Sequence, residues 1–300
     1  MKVATSQTAS RPGTLWPIDK LFIAYAAIMI RLLFMARHEP VALWLISGHI
    51  AAIGLLIVFS RNTSAIAEFA HHWFLLVYVP FCYKQVPFLV SALNLRLADD
   101  TLAHWDLAMW KVDPVFWLSS APNRFLVEFF QAIYAMFIPG IIVLGIILWT
   151  RRPRSEFRYG TFTIAATFLV SYLGYLILPA RGPRFMAYAS QYAQLHGLWT
   201  FKFFQNGLNT LEGLQYDCFP SGHVAAVLVG CFLARRVSAP VFYAFSAFAA
   251  CITFSTVYLR YHYVIDVIAG MLLAIIVIAF SPMVYRRLEA GHPPLSRTRV

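Results

Sequence analysis

The chain has 300 residues, of which 60% are hydrophobic and only 12% charged, and its mean hydropathy is +0.66. That composition excludes a soluble globular enzyme, and it excludes one membrane anchor joined to a large soluble domain. The net charge of +11, from 24 basic and 13 acidic residues, belongs with basic residues flanking membrane helices rather than with a nucleic-acid surface.

The first 20 residues carry Lys2, Arg11, Pro12, Gly13 and Pro17 without an apolar centre, so no cleavable signal peptide is expected. Apolar runs then predict spans over 19–36, 41–60, 66–92, 125–149, 160–179, 221–234, 239–258 and 263–284. Eight spans of about 20 residues use roughly 160 residues. Lipid offers the backbone no hydrogen bonds, so each run must satisfy its own amides as a helix. The expected fold class is an all-α, polytopic transmembrane helical bundle, divided into N-terminal spans and an interfacial loop over 1–124 and a catalytic core over 125–300.

Within the first three spans, Arg31, His71 and His72 are polar groups in apolar surroundings. Helix-to-helix hydrogen bonds or snorkelling are expected for them before a headgroup cavity. The connection over 93–124 holds Trp105, Trp110 and Trp117, which predict an amphipathic helix on the membrane surface, a lid or an anchor. Arginine clusters follow the fourth span (Arg151, Arg152, Arg154, Arg158), the sixth (Arg235, Arg236) and the eighth (Arg286, Arg287, Arg297, Arg299). With Lys2, Arg11, Lys20 and Arg61 they put 14 of the 24 basic residues on one side, which predicts cytoplasmic termini. The opposite side receives Asp99, Asp100, Asp106, Asp113, Glu212, Asp217 and two long connections, 93–124 and 180–220, where function is expected. Short connections suggest a bacterial inner membrane, with this face periplasmic. Cys82, Cys218, Cys231 and Cys251 show no metal-ligand spacing, and a Cys82–Cys218 disulfide is not favoured.

Three segments at that face carry chemistry. Arg181 and Arg184 lie in the Gly/Pro-bent stretch after the fifth span and can grip phosphate bidentately. Pro220-Ser221-Gly222-His223 opens the sixth span, where free amides and the helix dipole attract an anion and His223 can exchange a proton. In the segment from Tyr258 to Asp266, His262 and Asp266 are four apart, which lets a carboxylate orient an imidazole as nucleophile. Two histidines can divide nucleophilic and general-acid work while arginines and amides hold a phosphoryl group, without a metal or cofactor.

Pro220-Ser221-Gly222-His223, with His262 following 39 positions on and Asp266 four beyond, resembles the type 2 phosphatidic acid phosphatase superfamily of membrane lipid phosphatases and phosphotransferases. It looks most like the branch of inositol phosphorylceramide synthases and, more distantly, sphingomyelin synthases, whose last motif also reads H-Y-x-x-D. The resemblance spans about 180 to 275. It implies a six-helix phosphatase-like core and a metal-independent enzyme in which His262 forms a phosphohistidine, Asp266 orients it and His223 protonates the leaving oxygen. Ser221, the Gly222 amide and arginines drawn from Arg181, Arg184 and Arg260 would cradle the phosphate, as in the vanadium haloperoxidases that share this core. The implied partners are a membrane lipid phosphate or phospholipid and, for a transferase, a lipid alcohol. Two departures stand out: the pattern K-x6-R-P is missing before Arg184 and Arg181, and Thr256 occupies the place where an arginine is expected six residues before His262. A synthase-like headgroup transferase is therefore the first alternative to a phosphatase, and a non-enzymatic anion- or lipid-binding membrane protein is the second.

Overall fold

The computed structural model describes residues 13–186, 189, 194–212 and 216–290. Lys2, Arg11, Arg297 and Arg299 of the charge pattern lie outside them, as does the Glu212 side chain. The chain divides into two compact units, residues up to 78 with those from 285 onward, and residues 79–284. Among the described residues every regular element is helical.

The first unit contains α1 (Pro17–Met35), α2 (Pro40–Arg61), α3 (Ala65–Trp73) and the start of α4 (Leu75–Tyr83). Proline begins α1 and α2, where its missing N–H costs nothing, and the Ser64 hydroxyl caps α3 by accepting from Ala67 N at 3.3 Å. Phe22, Met29, Leu33 and Leu56 fill the core. Asp19 accepts from Trp16 N at 2.7 Å and from His71 Nε2 at 2.8 Å, with the Trp16 ring stacked on the imidazole. His71 is thus a helix-to-helix partner, His72 bonds the Glu68 carbonyl, and Arg31 is exposed.

The second unit contains α5 (Gln85–Ala92), α6 (Asp99–Trp110), α7 (Pro114–Ser119), α8 (Arg124–Ala135), α9 (Phe137–Arg151), α10 (Arg154–Ile177), α11 (Phe201–Glu212), α12 (Gly222–Arg235), α13 (Ala239–Tyr258) and most of α14 (Val264–Glu289). Its centre is α10 against α12 and α12 against α13. The hydroxyls of Thr163, Thr167 and Ser171 each bond the carbonyl four residues back, so α10 buries polar side chains without orphaning them.

All eight expected runs are helical, but fewer helices meet the length and polarity a span requires. Among the described residues five are long and apolar enough to cross a membrane, and six if α8 and α9 form one bent span. The other two fall short because α1 carries Asp19, Lys20 and Arg31 and α12 has only 14 residues. The third run breaks into α3, α4 and α5, and the fourth bends by 47° between α8 and α9. Pro139 explains that bend: it cannot donate to the Ala135 carbonyl, which interrupts the ladder at the junction. The three tryptophans do not share one surface helix either. Lys111, at φ 62°, ends α6 in the left-handed region, so Trp105 and Trp110 lie on α6 and Trp117 on α7. The buried face of α6 is Asp99, Leu102 and Asp106, with the tryptophans exposed, so its carboxylates point inward and its aromatics outward.

Candidate functional site

Four chain segments converge where α10 and α13 end and α12 and α14 begin. The Cys218 amide donates to Ala180 O at 3.3 Å, the Ser221 amide to Asp266 O at 3.0 Å, and the Arg184 amide to Arg260 O at 3.3 Å. Gly182 makes the crossing feasible, because its φ of 97° suits glycine and a Cβ there would collide with the Tyr261 carbonyl.

His262 sits just past α13 in a tight turn. The Tyr261 and His262 amides both donate to Thr256 O, at 2.9 and 3.0 Å, and Arg260 adopts φ 65° between them and the helix. Thr256, standing where an arginine was expected, contributes its carbonyl to this turn, and its hydroxyl bonds Thr253 O at 2.7 Å. The His262 ring is buried. Its Nδ1 lies 2.9 Å from Cys218 O, and its Nε2 lies 3.4 Å from His223 Nδ1. A carbonyl can only accept, so Nδ1 carries the proton and Nε2 of the neutral ring has the lone pair.

Asp266 lies 3.7 Å from His262 Nδ1, beyond a direct hydrogen bond. Its Oδ2 instead accepts from the Cys218 thiol at 2.7 Å and from the Tyr263 amide at 2.8 Å. The expected carboxylate-to-imidazole bond is therefore replaced by one to the Cys218 carbonyl, with Asp266 near enough to act on the ring by charge. Cys218 sulfur, His262 and Asp266 offer ligand atoms within 4.8 Å of one another, the one buried grouping of metal-ligand type among the described residues. Burial, with Asp266 beside it, pushes the Cys218 thiol well above its ordinary range, in keeping with its role as a hydrogen-bond donor to Asp266.

His223 is half-buried on the first turn of α12, with its ring 4.8 Å from Tyr134 and 4.5 Å from Phe137, centroid to centroid. Those two rings flank the α8–α9 bend, so each helix of the bent pair presents an aromatic ring to the imidazole. Tyr134 also stacks on Tyr261 at 4.2 Å, and the Tyr261 hydroxyl donates to Gln131 Oε1 at 3.1 Å.

The expected anion-binding residues divide. Arg184 lies 4.2 Å over the Tyr261 ring and acts electrostatically on His223, so it belongs to the histidine pair. Arg181 lies 4.5 Å over Phe185, and its Nε is buried with no partner among the described residues. The buried Arg260 guanidinium is held by Ser119 of α7, at 2.9 Å to the hydroxyl and 3.1 Å to the carbonyl. Ser221 is the N-cap of α12, its hydroxyl accepting from Val224 N at 3.4 Å. The Gly222 backbone bonds the Tyr175 hydroxyl, against which a Cβ would clash.

Several residues of this assembly went unmarked in the sequence. Cys218 lies only two positions before Pro220 and was discoverable by proximity. Tyr134, Gln131 and Ser119 reach the site from more than 80 residues away, and no local spacing signals them.

The fold and the site together define a helical membrane protein with paired histidines and adjacent arginines. The sequence model of the PAP2 superfamily matches residues 100–280, and the chain belongs to that superfamily. Membership supports an enzyme of the phosphatase or phosphotransferase type. Comparison with curated proteins and with solved structures gives no match.

Proposed function

We propose that the protein transfers a phosphoryl group from a membrane lipid phosphate through a phosphohistidine on His262, without a metal. The observation that carries this is the 2.9 Å approach of His262 Nδ1 to Cys218 O, an acceptor only, which assigns the proton to Nδ1 and leaves Nε2 with its lone pair toward His223. In the first step Nε2 bonds to phosphorus, the bond from phosphorus to the lipid oxygen breaks, and His223 protonates that oxygen. In the second, an incoming hydroxyl gives its proton to His223 and attacks phosphorus, and the phosphorus–nitrogen bond breaks. Asp266 offsets the positive charge His262 carries as a phospho-imidazolium. Arg184 and Arg181 balance the phosphate charge, and the Ser221 turn adds the positive end of the α12 dipole.

Phosphate release by the purified protein from a panel of lipid phosphates and pyrophosphates, with chelator present, tests this. Wild type is expected to release phosphate and to trap an acid-labile phosphoenzyme, and His262→Ala to do neither. Equal phospho-labelling of wild type and variant would sink the assigned nucleophile, and binding without release would favour the non-enzymatic alternative.

A second reading, transfer of a phospho-headgroup to a lipid alcohol as in the inositol phosphorylceramide synthase branch, is favoured by the aromatic wall of Tyr134, Phe137 and Tyr261 beside His223, which is poor in partners for an attacking water. Oxygen-labelled water separates the two: label enters the released phosphate in hydrolysis and is absent from the product of transfer. The proposed setting is a bacterial inner membrane with the site facing the periplasm.

A further inference from the structure

The inward face of α6 bears directly on both motif segments. Asp99 accepts from the Arg181 amide at 3.0 Å to each oxygen, from the Gly182 amide at 2.8 Å, and from the Tyr263 hydroxyl at 3.3 Å. Seven residues on, Asp106 accepts from the Val264 and Ile265 amides, both at 2.8 Å. Those are first-turn amides of α14, which have no partner within their own helix, and they stand between His262 and Asp266 in the chain. Leu102, between the two aspartates, packs with Ala180, Cys218 and Tyr263. The Ala98 amide, at the head of α6, donates to Pro179 O at 2.8 Å. Both carboxylates are buried and together receive four backbone amides, two from residues 181–182 and two from residues 264–265.

We propose that α6 is a brace for catalysis, in which Asp106 is a positioning residue for His262 and Asp266 and Asp99 is a positioning residue for the arginine segment. The proposal rests on the phosphoryl-transfer reading above. A surface lid or anchor would need only the outward tryptophans; inward carboxylates on the site's own backbone do something different. They fix the start of α14, which sets where His262 Nε2 points, and they fix the turn that carries Arg181 and Arg184. Both aspartates spend their oxygens on backbone amides and the Tyr263 hydroxyl, so their effect passes through the residues they hold.

Acid sensitivity gives a signature that simple loss of packing lacks. Burial, with Asp266 and Asp113 adding like charge, raises the Asp106 carboxyl from 3.8 to about 6. The titratable groups facing it are Asp266 and Tyr263 from the α14 segment, Asp113 from the turn before α7, and Asp100 and His104 on its own helix. Below about pH 6 the proton occupies one oxygen, and one of the two amides loses its carboxylate acceptor. The turnover number should fall as pH drops through that region for this reason, and Asp106→Asn should remove that part of the acid limb because the amide has no proton to gain.

The test compares wild type with Asp106→Asn, Asp99→Asn and, as a control, the exposed Asp100→Asn, using the full chain in lipid nanodiscs. Three quantities are read: amide hydrogen exchange, affinity for orthovanadate as a five-coordinate phosphoryl mimic, and kcat and KM on the lipid-phosphate panel. Loss of a charge-assisted bond corresponds to at least about tenfold. On that basis Asp106→Asn should exchange the amides of 263–265 about tenfold faster, bind vanadate about tenfold more weakly, and lose kcat with KM nearly constant. Asp99→Asn should speed exchange at 181–182 and raise KM, and Asp100→Asn should match wild type. Asp106→Glu, which keeps the carboxylate, should recover part of the loss, and it serves as the measured variant where Asp106→Asn does not fold. Unchanged exchange at 263–265 with unchanged kcat, or exchange accelerated equally in α12 and α13, would overturn the brace. A wild type that releases no phosphate and binds no vanadate would instead overturn the phosphoryl-transfer reading, and the catalytic purpose of the brace with it.

Discussion

The proton inventory around His262 decides which nitrogen can attack. Nδ1 is committed to the Cys218 carbonyl, and Nε2 faces His223 Nδ1, at 3.4 Å. If Nε2 holds a lone pair, His223 Nδ1 meets it as an N–H donor, and to act as the general acid His223 must carry a second proton, on its Nε2, because the N–H of a neutral imidazole is not an acid. General-acid help is largest when the leaving group is a poor one. His223→Gln should therefore cost about 10²- to 10⁴-fold on an alkyl phosphate, whose alkoxide needs the proton. It should cost far less on p-nitrophenyl phosphate, whose phenoxide departs unassisted. Comparing kcat/KM for the two substrates in wild type and variant checks this, and an equal loss on both would assign His223 to binding rather than to proton transfer.

At the level of elements, the α8–α9 bend does work that a straight helix could not. Tyr134 precedes the break and Phe137 follows it, and both rings reach His223. Pro139→Ala restores the missing backbone bond and should let α8 and α9 align, moving one ring away from the imidazole. Because Pro lowers helix stability and Ala favours it, Tm should not fall, while kcat should drop about tenfold to a hundredfold from misplacement. A variant that kept full activity with a straightened helix pair would separate the bend from the site. The same elements show what a reader of the sequence can and cannot see. The apolar runs are legible because lipid forces each segment to bond within itself, and Pro220-Ser221-Gly222-His223 and the His262 to Asp266 spacing are legible because their chemistry is local. The role of α6 is not, since Asp99 meets Arg181 across 82 positions and Asp106 meets Val264 across 158, and the tryptophans around them suggest only a membrane surface. The replacement of the Asp266 bond by Cys218 O is hidden for the same reason: a backbone carbonyl has no signature in side-chain spacing.

For the whole molecule, charge and chemistry segregate to opposite helix ends. Arg151 and Arg152 close α9, Arg154 and Arg158 begin α10, and Arg235 and Arg236 follow α12, whereas His223, His262 and the 181–184 turn lie at the other ends of α12, α13 and α10. The α10 helix has 24 residues, about 36 Å at 1.5 Å per residue, enough to separate the two sets by the hydrocarbon thickness. Basic residues near span ends stay cytoplasmic, so the histidines should face away from the cytoplasm and meet their lipid in the outer leaflet. Single cysteines placed at Arg154 and at Lys202, the latter exposed on α11, report this directly. Cys82 and Cys218 are buried, so replacing Cys231 and Cys251 by alanine leaves a quiet background. In intact cells a membrane-impermeant maleimide should label Lys202→Cys and spare Arg154→Cys, and after lysis both should react. Labelling of Arg154→Cys alone in intact cells would put the histidine pair on the cytoplasmic side, and the substrate would then have to come from the inner leaflet.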